Sequence, residues 1–544
     1  MKNVNRMSTT PVKYPRSKRN QAIGKITSVQ PGVCAVIASI PMFRGDALKS
    51  TRVGFSIEMA ETKDRIANKV RARVTAYLVP WLAFERFNGS RDEMDRSYAG
   101  EQGLGGTVVP FIDTAVAGAH GTSLFHKTQG LHLDPGVSYN TMYLEAANIV
   151  WNFRAKQRSP KIAQRLRLDD TPLPAFWGAG RFEHLVSDFD SASMDGQVAL
   201  NVVDARMPVR GIAKASSIWE PGTTGPVFDS GGETVNYEGY SPVDGSVPNR
   251  VFYVKKAEGT GYPDVWAELE QNGITVSLAN IEMAKKAQAF AAMRSKYEGH
   301  DDDYIIDTYL MNGLRIPDQA LKQPMLIADQ TVAFSQAQRH ATDSGHLDEK
   351  AVSGFAEGSI TLRCPALDVG GIVIVQVEIL PDQLWERSPD PFLHATSVAE
   401  FPEAMRDFAD PEKVYFVTNG EIDADHSDPD GLFGFAPLNW KWNAFGPGIG
   451  GKFFKPAAGG GTNVLRQRFW AHEEVDPSLS ENFYLCKGLT TSIFLDETSD
   501  PFELTLQGNA VLDGLTQFGR ALIEATDNYE KVMENMDQTR VKEA

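Results

Sequence analysis

Acidic residues are missing from the first 43 positions of this 544-residue sequence, although its net charge is -16. That stretch carries Lys2, Arg6, Lys13, Arg16, Lys18, Arg19 and Lys25. The remainder of the chain is therefore more acidic than the whole, which excludes a surface that is basic all over. Cysteine is scarce: Cys34, Cys364 and Cys486 are an odd number without a C-x-x-C pair. Such a set is no disulfide framework, and it fits synthesis in a reducing cytosol. Apolar runs of membrane-spanning length are missing, so no membrane partner is expected. The N-terminus lacks the apolar core of a secretory signal and is not read as one.

Catalytic patterns are equally sparse. The ten histidines form no H-x-x-x-H or H-E-x-x-H, and no G-x-S-x-G elbow occurs. Gly446 to Lys452 satisfies G-x-x-x-x-G-K, but Phe453 stands where a P-loop needs a magnesium-binding hydroxyl. Prolines and glycines follow where a helix is required, so a turn is the stronger reading. Asp423, Asp425, Asp428, Asp430 and Gly431 form an acidic loop out of EF-hand register, since Ser427 and Asp428 fall where Asp and Gly belong. His300 to Asp303 is a second acidic cluster without the companion histidines of a zinc site. The chain is thus read as a non-enzyme with no cofactor and no metal.

What is present is β-structure at both ends of the chain. Residues 22–30 and 33–40 flank the turn dipeptide Pro31-Gly32 and resemble a hairpin. Residues 53–59 are a further candidate strand. In 69–79, Val70, Ala72, Val74, Ala76 and Leu78 share one face and Lys69, Arg71, Arg73 and Thr75 the other, until Pro80 ends the strand. Beyond residue 355 the signal returns in 359–364, 371–380, 413–418, 491–495 and 502–507.

The middle differs. Residues 139–155 are rich in helix formers and aromatics. Residues 209–262 are full of Gly, Ser, Pro and Thr and read as a loop excursion. Residues 278–297 read as a helix capped by Ser277, with Ile281, Ala284, Ala287, Phe290 and Ala291 along one stripe. Residues 510–538 read as a helical tail. The organisation expected is a basic arm over 1–21, a β core over 22–98, long inserted loops with helices over 99–330, the second part of the core over 331–508 and a tail over 509–544. Double-sheet antiparallel architectures accept such insertions at their ends.

Several segments, in order, resemble the major capsid proteins of the Microviridae, small tailless single-stranded DNA phages. They are Pro15-Arg16-Ser17-Lys18 before the first strands; Ala76-Tyr77-Leu78-Val79-Pro80-Trp81 followed by Phe84-Glu85-Arg86-Phe87; and the aromatic helix over 139–153 with Asn148, Trp151 and Asn152. Asp302 to Asp307, Ile316-Pro317-Asp318, Leu321-Lys322-Gln323-Pro324 and Phe433-Gly434-Phe435-Ala436-Pro437 with Trp440 complete the series. The resemblance covers most of 12–508 and is weakest over 180–270 and after 510.

It implies an antiparallel eight-stranded viral jelly roll with long loop insertions containing helices. It also implies self-assembly into a T=1 icosahedral shell around circular single-stranded DNA, assembled in the bacterial host cytoplasm. The partners it implies are further copies of the chain, the packaged DNA, a small basic DNA-packaging peptide, scaffolding and minor or pilot proteins, and a host surface receptor. The seven cations of the arm would face DNA or neighbouring subunits. A carbohydrate-binding or carbohydrate-active β-sandwich, suggested by the many Trp and Tyr residues, is the competing expectation.

Overall fold

The computed structural model describes residues 12–118, 123–131, 134–177, 185–188, 311–314, 318–340, 342, 350–384, 391–409, 414–443, 448–454, 468–471 and 475–519. Between 190 and 310 it describes five short strands and one helix. The chain forms two compact units, residues 190–312 and the remainder.

The larger unit is mainly β and antiparallel. Its long strands are β1 (Ser17–Val29), β2 (Cys34–Met42), β3 (Ala47–Thr62), β4 (Val70–Pro80), β5 (Met325–Ala333), β6 (Ser335–His340), β7 (Lys350–Cys364), β8 (Gly371–Pro381) and β9 (Phe502–Gly514). A five-stranded sheet has the order β1-β9-β3-β7-β6, and a four-stranded sheet the order β5-β4-β8-β2. The chain passes from the second sheet to the first at Phe334, between β5 and β6. One core fills the space between the sheets. It takes Val70, Ala72, Val74, Ala76 and Leu78 of β4, the face expected from their alternation, with Val53, Phe55 and Ile57 of β3 and Leu504 and Leu506 of β9.

β8 is mostly apolar because both its faces are covered; all eleven of its residues, Gln376 and Glu378 included, are buried. On its far side lie helix α3 (Met142–Arg158) and the segments around it, which form a second core with Tyr77, Val79, Ile372 and Ile374. Two shorter helices precede α3 in the same excursion, α1 (Arg91–Ala99) and α2 (Leu124–Thr128). Where β8 begins, Gly370 has φ +75° and an added Cβ would lie 2.6 Å from the Trp81 ring, so the turn into β8 requires glycine.

Several expectations need correction. Pro31-Gly32 does not close a hairpin. β1 pairs with β9 and β2 with β8, so the turn is a corner between sheets, held by Gly32 N–H donating to Ile379 O and Ala175 N–H to Gly32 O. β1 starts at Ser17, not residue 22, because its polar first turn finds partners in Ala510–Gly514. Those same residues, expected as the start of a helical tail, are strand, with Ala510 and Leu512 buried in the core. Residues 491–495 form a turn with a single bridge from Phe494 to Thr62. The segment 382–501 is a second excursion from the sandwich. Its hairpin, Val414–Thr418 with Leu432–Pro437, packs against the α3 side. The rest of the tail, beyond 519, lies outside the described residues.

In the smaller unit, Ala213–Lys214, Val227–Phe228 and Thr234–Val235 form a three-stranded sheet, and Arg206–Pro208 pairs with Trp266–Glu268. Most of 209–262 lies outside the described residues. Helix α4 (Leu278–Arg294) forms where expected, with Phe290, Met283 and Met293 about half exposed. The side chains of Ile281, Ala284 and Ala291 lie outside the described residues, as does the cluster at His300 to Asp303.

Candidate nucleic-acid interface

Strand β1 carries the basic N-terminal residues onto an edge of the five-stranded sheet, and the strand alternation divides them. Lys18 points outward and is exposed; Arg19 points inward. Arg19 Nη2 lies 2.8 Å from Asp46 Oδ2, donates to Pro41 O at 2.8 Å, and its guanidinium stacks 4.5 Å from the Phe43 ring. Asp46 is almost wholly buried and also accepts from Phe43 N–H at 2.9 Å. Arg19 is therefore an internal clasp between β1 and the β2–β3 turn. Arg16 is held at the surface by Asp513 Oδ1 at 3.1 Å and by Gly45 O at 3.0 Å. Lys49 Nζ reaches the other oxygen of Asp513 at 3.2 Å. Hydrogen bonds from Arg16 and Lys49 hold the Asp513 carboxyl below its ordinary pKa. Lys25 is half-buried, and burial lowers its pKa to about 8. Lys13 is exposed ahead of the strand, beside the exposed Tyr14. Lys2 and Arg6 lie outside the described residues.

The sheet register then gathers cations that are remote in sequence. Lys18 lies opposite Asp513, Asp513 opposite Ala47, and Thr361 opposite Arg52. Lys18, Lys49, Arg52 and Arg363 consequently crowd the same end of the outer face, on β1, β3 and β7, and all four are exposed. Lys18, Arg52 and Arg363 have no acidic partner among the described residues; Arg52 Nε donates to Ser359 Oγ at 3.1 Å. Among the described residues Asp513 is the one acid placed among them, already shared by Arg16 and Lys49. The opposite end of the same face is acidic: Glu503 lies directly across from Glu58, with Glu357 opposite Ser56. Arg52 and Glu58 are six strand residues apart, ~20 Å. One face thus presents a cationic end suited to phosphates and an acidic end that repels them. Sequence reading missed Lys49, Arg52 and Arg363, since each is isolated in its own segment. Their outward position on alternating strands was the available signal.

Other candidates look structural. Burial raises the pKa of all three cysteines, Cys364 to about 11, so none is primed as a thiolate. Burial lowers that of His126, whose Nδ1 sits 2.7 Å from Tyr143 Oη. Gly451–Phe453 is one turn of 3-10 helix, preceded at Trp440–Asn443 by a short helix and not by a strand. In the acidic loop, Asp423 accepts from the Asp425 N–H and Asp476 from the Ser427 N–H, so these carboxylates brace the loop backbone. No group of three potential metal ligands occurs among the described residues. No protein-family model matches the chain, and no curated protein matches it.

Proposed function

We propose that this chain is the shell-forming major capsid protein of a small single-stranded DNA phage of the Microviridae type, built on a viral jelly roll. The connectivity of the two sheets is the observation that carries this reading. Counting β5 and β6 as one strand bent across both sheets leaves eight, in the orders 1-8-3-6-5 and 5-4-7-2, with the bent strand at an edge of each. That is the order produced when two Greek keys wrap around one core. Both long excursions, 81–324 and 382–501, leave the ends of this sandwich, the place where such folds accept insertions. A fold alone does not specify a function. The capsid reading adds the ordered segments resembling the family and a strongly cationic sheet end on an acidic chain.

In this reading many copies close a T=1 shell, and the virion is where the protein resides. Lys13 and Lys18, joined by Lys49, Arg52 and Arg363, meet the phosphates of the packaged DNA without reading its sequence. Arg16 and Arg19 instead fasten the start of β1. A packaging peptide, scaffolding and minor proteins, and a host receptor are the partners the reading carries with it. Purified full-length chain examined by electron microscopy and sedimentation, with and without circular single-stranded DNA, tests it. Closed uniform particles are expected. A monomer that binds glycans and never assembles overturns it in favour of a carbohydrate-binding sandwich.

A further inference from the structure

A cleft of about 520 Å³ opens beside the start of α3, walled by Phe43, Trp81, Tyr98, Ile112, Leu131 and Tyr143 among others. Its walls are almost entirely apolar, yet Tyr98 and Ile112 are about half exposed. Trp81 is 5% exposed, and its indole Nε1 is buried without a hydrogen-bond partner among the described residues. Lys25 and Lys127 flank one wall: Lys25 lies beside Gly130, next to Leu131, and Lys127 is exposed on α2.

Elsewhere in the same unit, residues 391–408 present the opposite problem. Leu393, Val398 and Met405 are 75–80% exposed. The acids Glu400, Glu403 and Asp407 accompany them against a single Arg406. The apolar and acidic character of this segment complements an apolar cleft with cationic flanks.

No residue of the segment lines the cleft of its own subunit. Met142 and Tyr143, at the N-terminus of α3, belong to the cleft. Asp407 of the segment accepts from Asn439 at 2.7 Å, just past the hairpin whose Phe433 packs on Phe483. Leu479, in the same cluster, accepts from Lys161, three residues beyond α3.

We propose that the cleft of one subunit receives segment 391–408 of a second copy of this chain. Two different patches meeting in this way make a head-to-tail contact, which closes into rings when the rotation allows. The inference rests on the shell reading and names one of its subunit contacts. Its test uses full-length chain carrying Ile112→Cys and Met405→Cys, singly and together, assembled into particles and mildly oxidised; the three native cysteines are buried. The double variant is expected to give covalent dimers and higher ladders on denaturing gels, and the single variants none. Met405→Ser is expected to lower particle yield at fixed subunit concentration about tenfold, with an unchanged unfolding transition. Particles that form without double-variant cross-links overturn the inference and leave the shell reading standing. A chain that never assembles overturns both.

Discussion

The two sheets of the sandwich share one core but meet opposite conditions on their far sides. Beyond the four-stranded sheet, α3 and its neighbours exclude water, so a charge on that face needs a partner. Arg154 Nη2 accordingly lies 2.8 Å from Glu378 Oε2, with Cys34 Sγ 3.6 Å from the other guanidinium nitrogen; Gln376 and Thr75, neutral and buried on the same face, keep polar atoms without hydrogen-bond partners among the described residues. The outward residues of the five-stranded sheet, by contrast, are largely exposed. Charges there are sorted mainly by end, with Asp513 between Arg16 and Lys49 as the paired exception. Charge on a covered face is thus an architectural constraint, whereas charge on an open face is free to serve a ligand.

The contrast breaks most visibly at the buried pair. Glu378→Leu strands the Arg154 cation and is expected to cost about 3–5 kcal/mol in chemical denaturation. Arg154→Met added to it should recover most of that loss, because no charge then remains to be solvated. A single substitution costing under about 1 kcal/mol would mean that water reaches this site.

On the open face the balance is reversed. Replacing Lys18, Lys49, Arg52 and Arg363 together with Gln should change stability by only about 0.5 kcal/mol per site or less. Binding to oligothymidylate should fall sharply, and the slope of log affinity against log salt should flatten by up to about 0.7 per lost phosphate contact. An unchanged slope would remove this sheet end as a nucleic-acid surface.

Asp513 sharpens the point. Asp513→Asn frees Arg16 and Lys49 and should strengthen oligothymidylate binding several-fold at low salt, measured by titration. Its carboxyl is held below the ordinary value in the folded chain. The stability it contributes is therefore complete above the unfolded pKa and is lost as pH falls through the lowered folded value. The Asn variant should lack that acid-dependent loss.

The smallest effect concerns Lys25. Its folded pKa, about 8, lies below the unfolded value of 10.5. The unfolded chain binds more protons between those values, so stability should rise as pH climbs from about 8 to 10.5. Lys25→Met should flatten that rise in pH-dependent thermal unfolding.

Strand periods were legible locally. The alternation in β4 and the largely apolar β8, interrupted only by Gln376 and Glu378, report whether one face or both are covered. The chain's own polar pattern misled where pairing is non-local. The first residues of β1 look like an arm because their partners, Ala510–Gly514, are nearly five hundred residues away. Ala510–Gly514 look helical for the same reason. Lys13, Arg16, Lys18, Arg19 and Lys25 stood out as a basic stretch, but the structure separates the exposed Lys13, Arg16 and Lys18 from the half-buried Lys25 and the inward clasp of Arg19.

By itself the sequence determined that the chain has strands at both ends, a helical middle, no disulfide framework and an acid-free N-terminal stretch. Each of these is a property of short windows: burial period, turn chemistry or composition. Only the tertiary structure decided that β1 and β2 belong to different sheets, and that Lys49, Arg52 and Arg363 join Lys18. It alone enclosed the Trp81 cleft between segments distant in the chain. Register between strands hundreds of residues apart follows from which faces can be buried together, and no single window contains both partners.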